Sequence, residues 1–265
     1  MHASIALALA YDRYRNGSTT SHQWSEEYHH WTRSAVQLKK RLNQRIETKD
    51  KDSIWGTAAT LALLSFSFTD AHLPDCSWPV RLPSDSSIDP LDWLRMDNAK
   101  MSLWHIVNPL RPESIFSIMK DTYAQLASPS PERGADGIPG PLASVCGLEE
   151  LSTAENNSYF SAAHSLSQLL EIEDSRVTVG HTQRFTKCIH GKFKSLLRAR
   201  DPAALLLLYL WYFKAGRKIW WIESRAQIER PAIRLYLERN HGEDHQIQKC
   251  LIADLPSCGG LLTTL

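Results

Sequence analysis

The chain has 265 residues, of which 43% are hydrophobic and 22% charged, proportions that are ordinary for a globular protein. This length accommodates one large helical domain or two small ones, with a buried core in either case. Thirty Lys and Arg residues against 29 Asp and Glu leave a formal net charge of +1. Proteins that bind DNA by neutralising phosphates carry a basic excess or a concentrated basic face. We therefore expect no direct DNA binding by this chain.

Cysteine usage and hydropathy indicate an intracellular protein that does not enter a membrane. The five cysteines are scattered, odd in number and without a CxxC pair, unlike those of a disulfide scaffold or a structural zinc site. The apolar opening MHASIALALAYDR has no basic segment before it, which predicts a helix and not a signal peptide. The longest apolar run, 203–213, is shorter than the roughly 20 residues that cross a bilayer.

Apolar residues recur at spacings of three and four along most of the chain, which predicts one helix after another. The predicted helices cover 5–14, 22–46, 52–69, 89–107, 113–126, 155–170, 181–198, 201–215, 218–239 and 243–251. Residues 127–145 are rich in Pro, Gly and Ser, which predicts a long loop or linker there. The sequence contains no convincing alternating strand pattern and no internal repeat. We therefore predict a single all-α domain over 1–265, built as a multi-helix bundle.

Two of these helices carry more specific predictions. The run 203–213 is apolar on every side, which predicts a buried helix at the centre of the molecule. The helix 22–46 has an apolar stripe that we expect to face the core, formed by Trp24, Tyr28, Trp31, Ala35, Leu38 and Leu42.

The strong motifs for catalysis and cofactor binding are absent from the sequence. It contains no GxGxxG, GxxxxGK[ST] or GxSxG string. The overlapping ExxH strings at 26–29 and 27–30 each resemble half of a di-metal carboxylate motif, but no second helix carries the other half. His241 and His245 lie four residues apart without the HExxH arrangement. We expect no catalytic residue, no metal site and no cofactor.

Four large aromatic side chains flank a predicted bend near Gly216, namely Trp211, Tyr212, Trp220 and Trp221. One interpretation is that these rings fill the core, since aromatic residues carry large apolar areas wherever they lie. The other interpretation is a pocket for a flat apolar ligand, in which charged groups of the bend fix the ligand's polar end.

Two Arg–Glu pairs at i,i+4 spacing follow the bend, Arg225–Glu229 and Arg234–Glu238. Pairs of this spacing on a helix surface stabilise it by roughly a few tenths of a kcal/mol. We interpret both pairs as solvated helix pairs and not as a recognition surface.

Five longer strings occur in order along the chain: DSIWGTAATLALLSFS (52–67), LDWLRM (91–96), NPLRPESIF (108–116), ENNSYFSAAHSLSQLL (155–170) and DPAALLLLYLWYFKAGRKIWWIESRAQIE (201–229). Together they resemble the C-terminal half of fungal zinc-cluster transcription regulators, the sterol-uptake-control type above all. The likeness runs from His2 to about Leu255.

The resemblance implies an α-helical effector domain, which in that family follows a DNA-binding cluster of six cysteines. It implies a small hydrophobic, sterol-like ligand, a nuclear location, and the transcription machinery or a related regulator as partner. By the same resemblance the candidate ligand-binding residues are Trp211, Tyr212, Trp220, Trp221 and Arg225. The six-cysteine cluster is missing from this sequence, so zinc and DNA binding do not carry over to it.

Two other functions stay open on the sequence alone. The aromatic-rich bend is also compatible with a cyclase- or isomerase-like enzyme of a biosynthetic gene cluster, in which cavity shape orients the substrate. The other alternative is a dominant-negative or scaffold partner that pairs with a full-length relative. Whether this chain forms a homodimer is a separate question that the sequence leaves open.

Overall fold

The computed structural model describes residues 1–17, 21–81, 89–126 and 129–253, with the side chains of 21–23, 252 and 253 excepted. Throughout these ranges the regular structure is helical and no residue forms a strand, so the all-α prediction is confirmed. The α-helices in chain order are α1 (His2–Asn16), α2 (Ser21–Leu42), α3 (Lys51–Ser67), α4 (Trp93–Ser102), α5 (Trp104–Val107), α6 (Lys120–Gln125), α7 (Gly140–Val145), α8 (Phe160–Glu171), α9 (Val179–Lys187), α10 (Gly191–Arg198), α11 (Pro202–Gly216), α12 (Trp220–His241) and α13 (His245–Ala253). Short 3₁₀ helices lie at Thr48–Asp50, Pro74–Cys76, Ile115–Met119 and Asp174–Arg176.

Helix α11 is buried along almost its whole length. Its start is fixed by Pro202 in the first turn and by the Asp201 carboxylate, which accepts a hydrogen bond of 2.9 Å from the Ala204 amide. Every residue of α11 except Pro202 and Phe213 is buried. Helices α8, α9, α10, α12 and α13 all pack against it. Its apolar side chains are thereby removed from water, which stabilises the fold by about 25 cal/mol for each Å² buried.

Helices α1 and α2 form an outer layer that packs against α3. A bidentate ion pair joins them, in which Arg13 Nε and Nη2 donate to the Glu27 carboxylate at 2.9 and 3.0 Å. The Arg13 guanidinium also lies 4.7 Å from the centroid of the Trp24 ring. Two fixed hydrogen bonds and a ring contact allow this charged pair to lie inside the layer.

The stripe predicted for α2 is wrong at two positions. Tyr28 is 65% exposed and Ala35 is exposed, whereas Glu27 and Ser34 are buried. At these two points of the stripe, the residue that precedes the predicted one is the residue that faces the core. The reason is the ion pair to α1, which brings a charged residue inward that the apolar pattern assigns to solvent.

The predicted helix 89–107 is divided into α4 and α5 in the structure, and the predicted helix 181–198 is divided as well. It is interrupted between α9 and α10, where His190 is extended and Gly191 has a φ of 49°. A left-handed φ costs glycine little because it has no Cβ. The turn allows α9 and α10 each to pack against α11.

The Pro-, Gly- and Ser-rich segment 127–145 is only partly a loop. Residues 127 and 128 lie outside the described ranges, 129–139 contain no helix, and α7 occupies the rest. The Gly134 amide donates to the Ser152 carbonyl at 2.8 Å, and the Gly134 carbonyl lies 3.0 Å from Nε2 of His164. Leu142 on α7 is buried, and α7 packs against α13. The described part of this segment is thus fastened to the helices around it.

Asp52, in the first turn of α3, ties this helix to the segment that precedes α6. Its Oδ1 accepts hydrogen bonds from Arg111 Nη2 at 2.6 Å and from the Ser114 hydroxyl at 2.7 Å. Its Oδ2 accepts one from the Ile115 amide at 3.1 Å. Burial opposes ionisation of this carboxyl, but the hydrogen bonds from Ser114, Ile115 and Arg111 outweigh burial and lower its pKa.

We expect Asp52→Asn to lower stability at neutral pH and to make it less sensitive to acid. Because the pKa of Asp52 is lower in the folded chain than in the unfolded chain, at about 3.9, ionised Asp52 stabilises the fold above that value. This contribution is lost as the pH falls through the folded-state pKa. Urea denaturation at several pH values between about 6 and 3 measures the free energy of unfolding of both proteins. The difference between wild type and Asp52→Asn should become smaller as the pH falls. The matched control is Asp121→Asn, which changes an exposed first-turn carboxylate of α6. A difference in the free energy of unfolding that does not change with pH contradicts the prediction.

Candidate functional site

A cavity of about 210 Å³ lies between α3, α4, α6, α9, α11 and the start of α12. Most of its lining is apolar: Trp55, Ala59, Ala62, Leu63, Phe66, Trp93, Phe116, Met119, Tyr123, Val179, Trp211, Trp221 and Ile222. The polar lining consists of Asp97, Lys100, Thr122, Thr182, Gln183 and Thr186. A concave apolar site with a few convergent polar groups is the usual form of a small-molecule site.

The cavity exists because small side chains on α3 face a large ring on α11. Ala59 and Ala62 lie one turn apart and leave space where larger side chains would fill the core. On the opposite wall the Trp211 indole N–H donates to the Thr182 carbonyl at 3.0 Å. Its ring stacks on Phe185, with 5.5 Å between centroids. These two contacts fix the Trp211 ring in the cavity wall.

The two charged residues of the cavity lining, here called its polar end, come from one face of α4. Trp93, Asp97 and Lys100 follow one another at spacings of four and three, which places them on the same side of the helix. Lys100 Nζ donates to Asp97 Oδ1 at 2.6 Å. Burial raises the pKa of the nearby Tyr123 hydroxyl, and the negative charge of Asp97 raises it further. The cavity is therefore lined mostly by apolar side chains, with four uncharged polar residues of α6 and α9 and the Asp97–Lys100 ion pair of α4 among them.

The structure separates the four aromatic residues that the sequence groups at the bend. Trp211 and Trp221 line the cavity. Trp220 is half-buried on another side, where its ring lies 5.3 and 5.7 Å from the rings of Tyr11 and Tyr14 on α1. Tyr212 is buried away from the cavity and donates from its hydroxyl to Glu229 Oε2 at 2.7 Å. Two of the four rings thus share one site.

Arg225, the fifth candidate, closes the end of α3. Its guanidinium donates to the Phe66 carbonyl at 2.5 Å and to the Phe68 carbonyl at 2.6 Å. It also forms an ion pair with Glu229. The carbonyls at a helix C-terminus lack partners within the helix and carry partial negative charge, so a buried cation stabilises them. This geometry indicates a structural role for Arg225.

The prediction that Arg225–Glu229 is a solvated pair is wrong. The two side chains are only 8% and 7% exposed, because Arg225 is drawn inward by the α3 carbonyls and Glu229 by Arg225 and Tyr212. Burial raises the pKa of Glu229 and the neighbouring Arg225 opposes that shift. Both side chains also line a second cavity, of about 310 Å³, on the side where Arg81 and Asp89 flank a segment outside the described ranges.

Sequence reasoning missed Trp55, Trp93, Asp97 and Lys100. The signal for the α4 residues is the spacing of Trp93, Asp97 and Lys100, which places them on one face of a helix. The i,i+3 spacing of Asp97 and Lys100 is also that of ordinary ion pairs on an exposed helix face, so it does not distinguish a cavity wall from a surface. For Trp55 the sequence has no signal, because nothing in local spacing relates α3 to α11.

The described residues contain no cluster that could hold a metal ion and no helix that could cross a bilayer. No group of three His, Cys, Asp or Glu side chains in these ranges is arranged to hold a metal ion. The ring nitrogens of His2 and His30 lie 2.6 Å apart, which joins α1 to α2. None of the described helices combines the length and apolar character that a bilayer crossing needs.

Comparison of the chain with protein-family models, with curated proteins and with solved structures finds no match. The resemblance to zinc-cluster regulators therefore stays a prediction.

Proposed function

We propose that this chain is the effector domain of a transcription regulator of the fungal zinc-cluster type and that it senses a small hydrophobic ligand. The observation that carries the proposal of ligand sensing is the apolar cavity, whose wall includes the hydrogen-bonded ring of Trp211. The regulator half is supported by the five strings that resemble such proteins. The domain would act in the nucleus, joined to or paired with a zinc-cluster domain, and would contact the transcription machinery or a related regulator.

The size of the cavity sets a limit on the ligand. An apolar cavity of about 150 Å³ is large enough to bind benzene. The cavity here measures about 210 Å³, below the roughly 300–1,000 Å³ that drug-sized ligands occupy. A one- or two-ring apolar molecule fits the arrangement as it stands. A sterol-like molecule fits only if the surrounding helices move apart.

This need for the helices to move apart suggests how ligand binding is transmitted to the surface of the domain. The cavity is lined by residues of six helices, α3, α4, α6, α9, α11 and α12. A ligand that contacts several of these helices stabilises the helix arrangement to which it binds better, and the populations shift accordingly. A partner surface formed by these helices would then be exposed or hidden as the ligand binds.

We expect naphthalene to raise the thermal midpoint of the wild-type chain and to have no effect on Ala62→Phe. A ligand at 100 times its Kd adds about 2.7 kcal/mol of stability, whereas a Phe at position 62 would occupy the space that the ligand needs. The measurement is differential scanning fluorimetry over a naphthalene series, with ergosterol as a second probe. The control is Ala35→Phe, which adds the same ring on the exposed side of α2.

The proposal of ligand sensing is overturned if neither naphthalene nor ergosterol raises the thermal midpoint of the wild-type chain. An unchanged shift in Ala62→Phe would place binding elsewhere in the molecule. The proposal of transcriptional control is tested separately, in the same variants.

With the chain fused to an unrelated DNA-binding domain, a reporter gene should respond to the bound probe in wild type and Ala35→Phe, and not in Ala62→Phe.

A further inference from the structure

We propose that the polar end of the cavity selects a neutral, hydroxyl-bearing ligand over a hydrocarbon and over a carboxylate. This inference rests on the proposed function, since it concerns the same cavity. It begins with Lys100 and Asp97, whose side chains are 10% and 33% exposed and are joined at 2.6 Å. An ammonium group has three donors, and in the described part of the chain one of those of Lys100 is used.

A ligand that fills the cavity removes water from this ion pair. A hydrocarbon forms no hydrogen bonds in place of those of the lost water. The remaining donors of Lys100 and the lone pairs of Asp97 are then left unsatisfied, which is unfavourable. A carboxylate satisfies Lys100 but brings a second negative charge beside Asp97. A hydroxyl group accepts from Lys100 and donates to Asp97, and it adds no net charge to a pair that is already balanced.

The test compares three probes that share one ring system: naphthalene, 2-naphthol and 2-naphthoate, titrated calorimetrically at about pH 7. We expect wild type to bind 2-naphthol about tenfold more tightly than naphthalene, because a hydrogen bond to a charged group is gained. The naphthoate ion should bind more weakly than 2-naphthol. In Lys100→Met the preference for 2-naphthol over naphthalene should disappear, while Lys39→Met, which changes an exposed lysine of α2, should retain it.

A second variant keeps the test independent of how well Lys100→Met folds. Asp97→Asn removes the negative charge and leaves the cation, so 2-naphthoate should become the tightest of the three probes. Equal binding of naphthalene and 2-naphthol to wild type overturns the inference and leaves the proposed function standing. Tightest binding of 2-naphthoate to wild type also overturns it. Failure of all three probes to bind overturns the proposed function together with the inference.

Discussion

Arg225→Met is expected to lower the free energy of unfolding by about 3–5 kcal/mol, because removal of one partner leaves a buried charge uncompensated. The partner, Glu229, lies with Arg225 in a part of the core where both side chains are almost fully buried. The substitution also removes the donors to the Phe66 and Phe68 carbonyls at the end of α3. Urea denaturation followed by far-ultraviolet circular dichroism measures the loss.

Helix α12 provides a matched control in Arg234→Met. Arg234 and Glu238 have the same residue types and the same i,i+4 spacing, but their side chains are 37% and 42% exposed. We expect that substitution to change stability by less than about 1 kcal/mol. The double variant Arg225→Met/Glu229→Leu should recover part of the loss, since paired apolar residues often replace a buried ion pair without cost. Equal effects at Arg225 and Arg234 would contradict the buried role of Arg225.

These two pairs also show where prediction from the sequence ends. Helix type and order follow from apolar spacing, and the all-α class was predictable for that reason. Spacing within one helix cannot decide whether a polar pair faces solvent, because the partner that draws it inward lies on another helix. The α3 carbonyls do so for Arg225, and Arg13 of α1 does so for Glu27.

Only those residues of the candidate site that lie close together in the sequence, at the bend between α11 and α12, were predictable. Trp211 and Trp221 stood out because they flank one bend, and both line the cavity. Trp55 and Lys100 reach the same cavity from α3 and α4, through tertiary packing that no periodicity encodes. Trp220 and Tyr212 are equally close to the bend, but successive helical side chains point in different directions, so they lie elsewhere.

Trp211→Ala separates the two interpretations of the aromatic residues, core filling and ligand binding. We expect a loss of about 3–5 kcal/mol in the free energy of unfolding, which is typical of large-to-small changes at a buried tryptophan. The stacking on Phe185 and the hydrogen bond to the Thr182 carbonyl are lost with the ring. Since stabilities of 5–15 kcal/mol are usual, the variant should still fold.

The decisive measurement is the response of this variant to naphthalene. Removal of the Trp211 ring enlarges the cavity, so naphthalene should stabilise Trp211→Ala more than it stabilises wild type at the same concentration. The control is Leu207→Ala, a fully buried change on the same helix whose side chain does not line the cavity. It should cost about 2–5 kcal/mol and leave the naphthalene response as in wild type. If Trp211→Ala is destabilised but responds to naphthalene just as wild type and Leu207→Ala do, the ring at position 211 fills the core and forms no part of a ligand site.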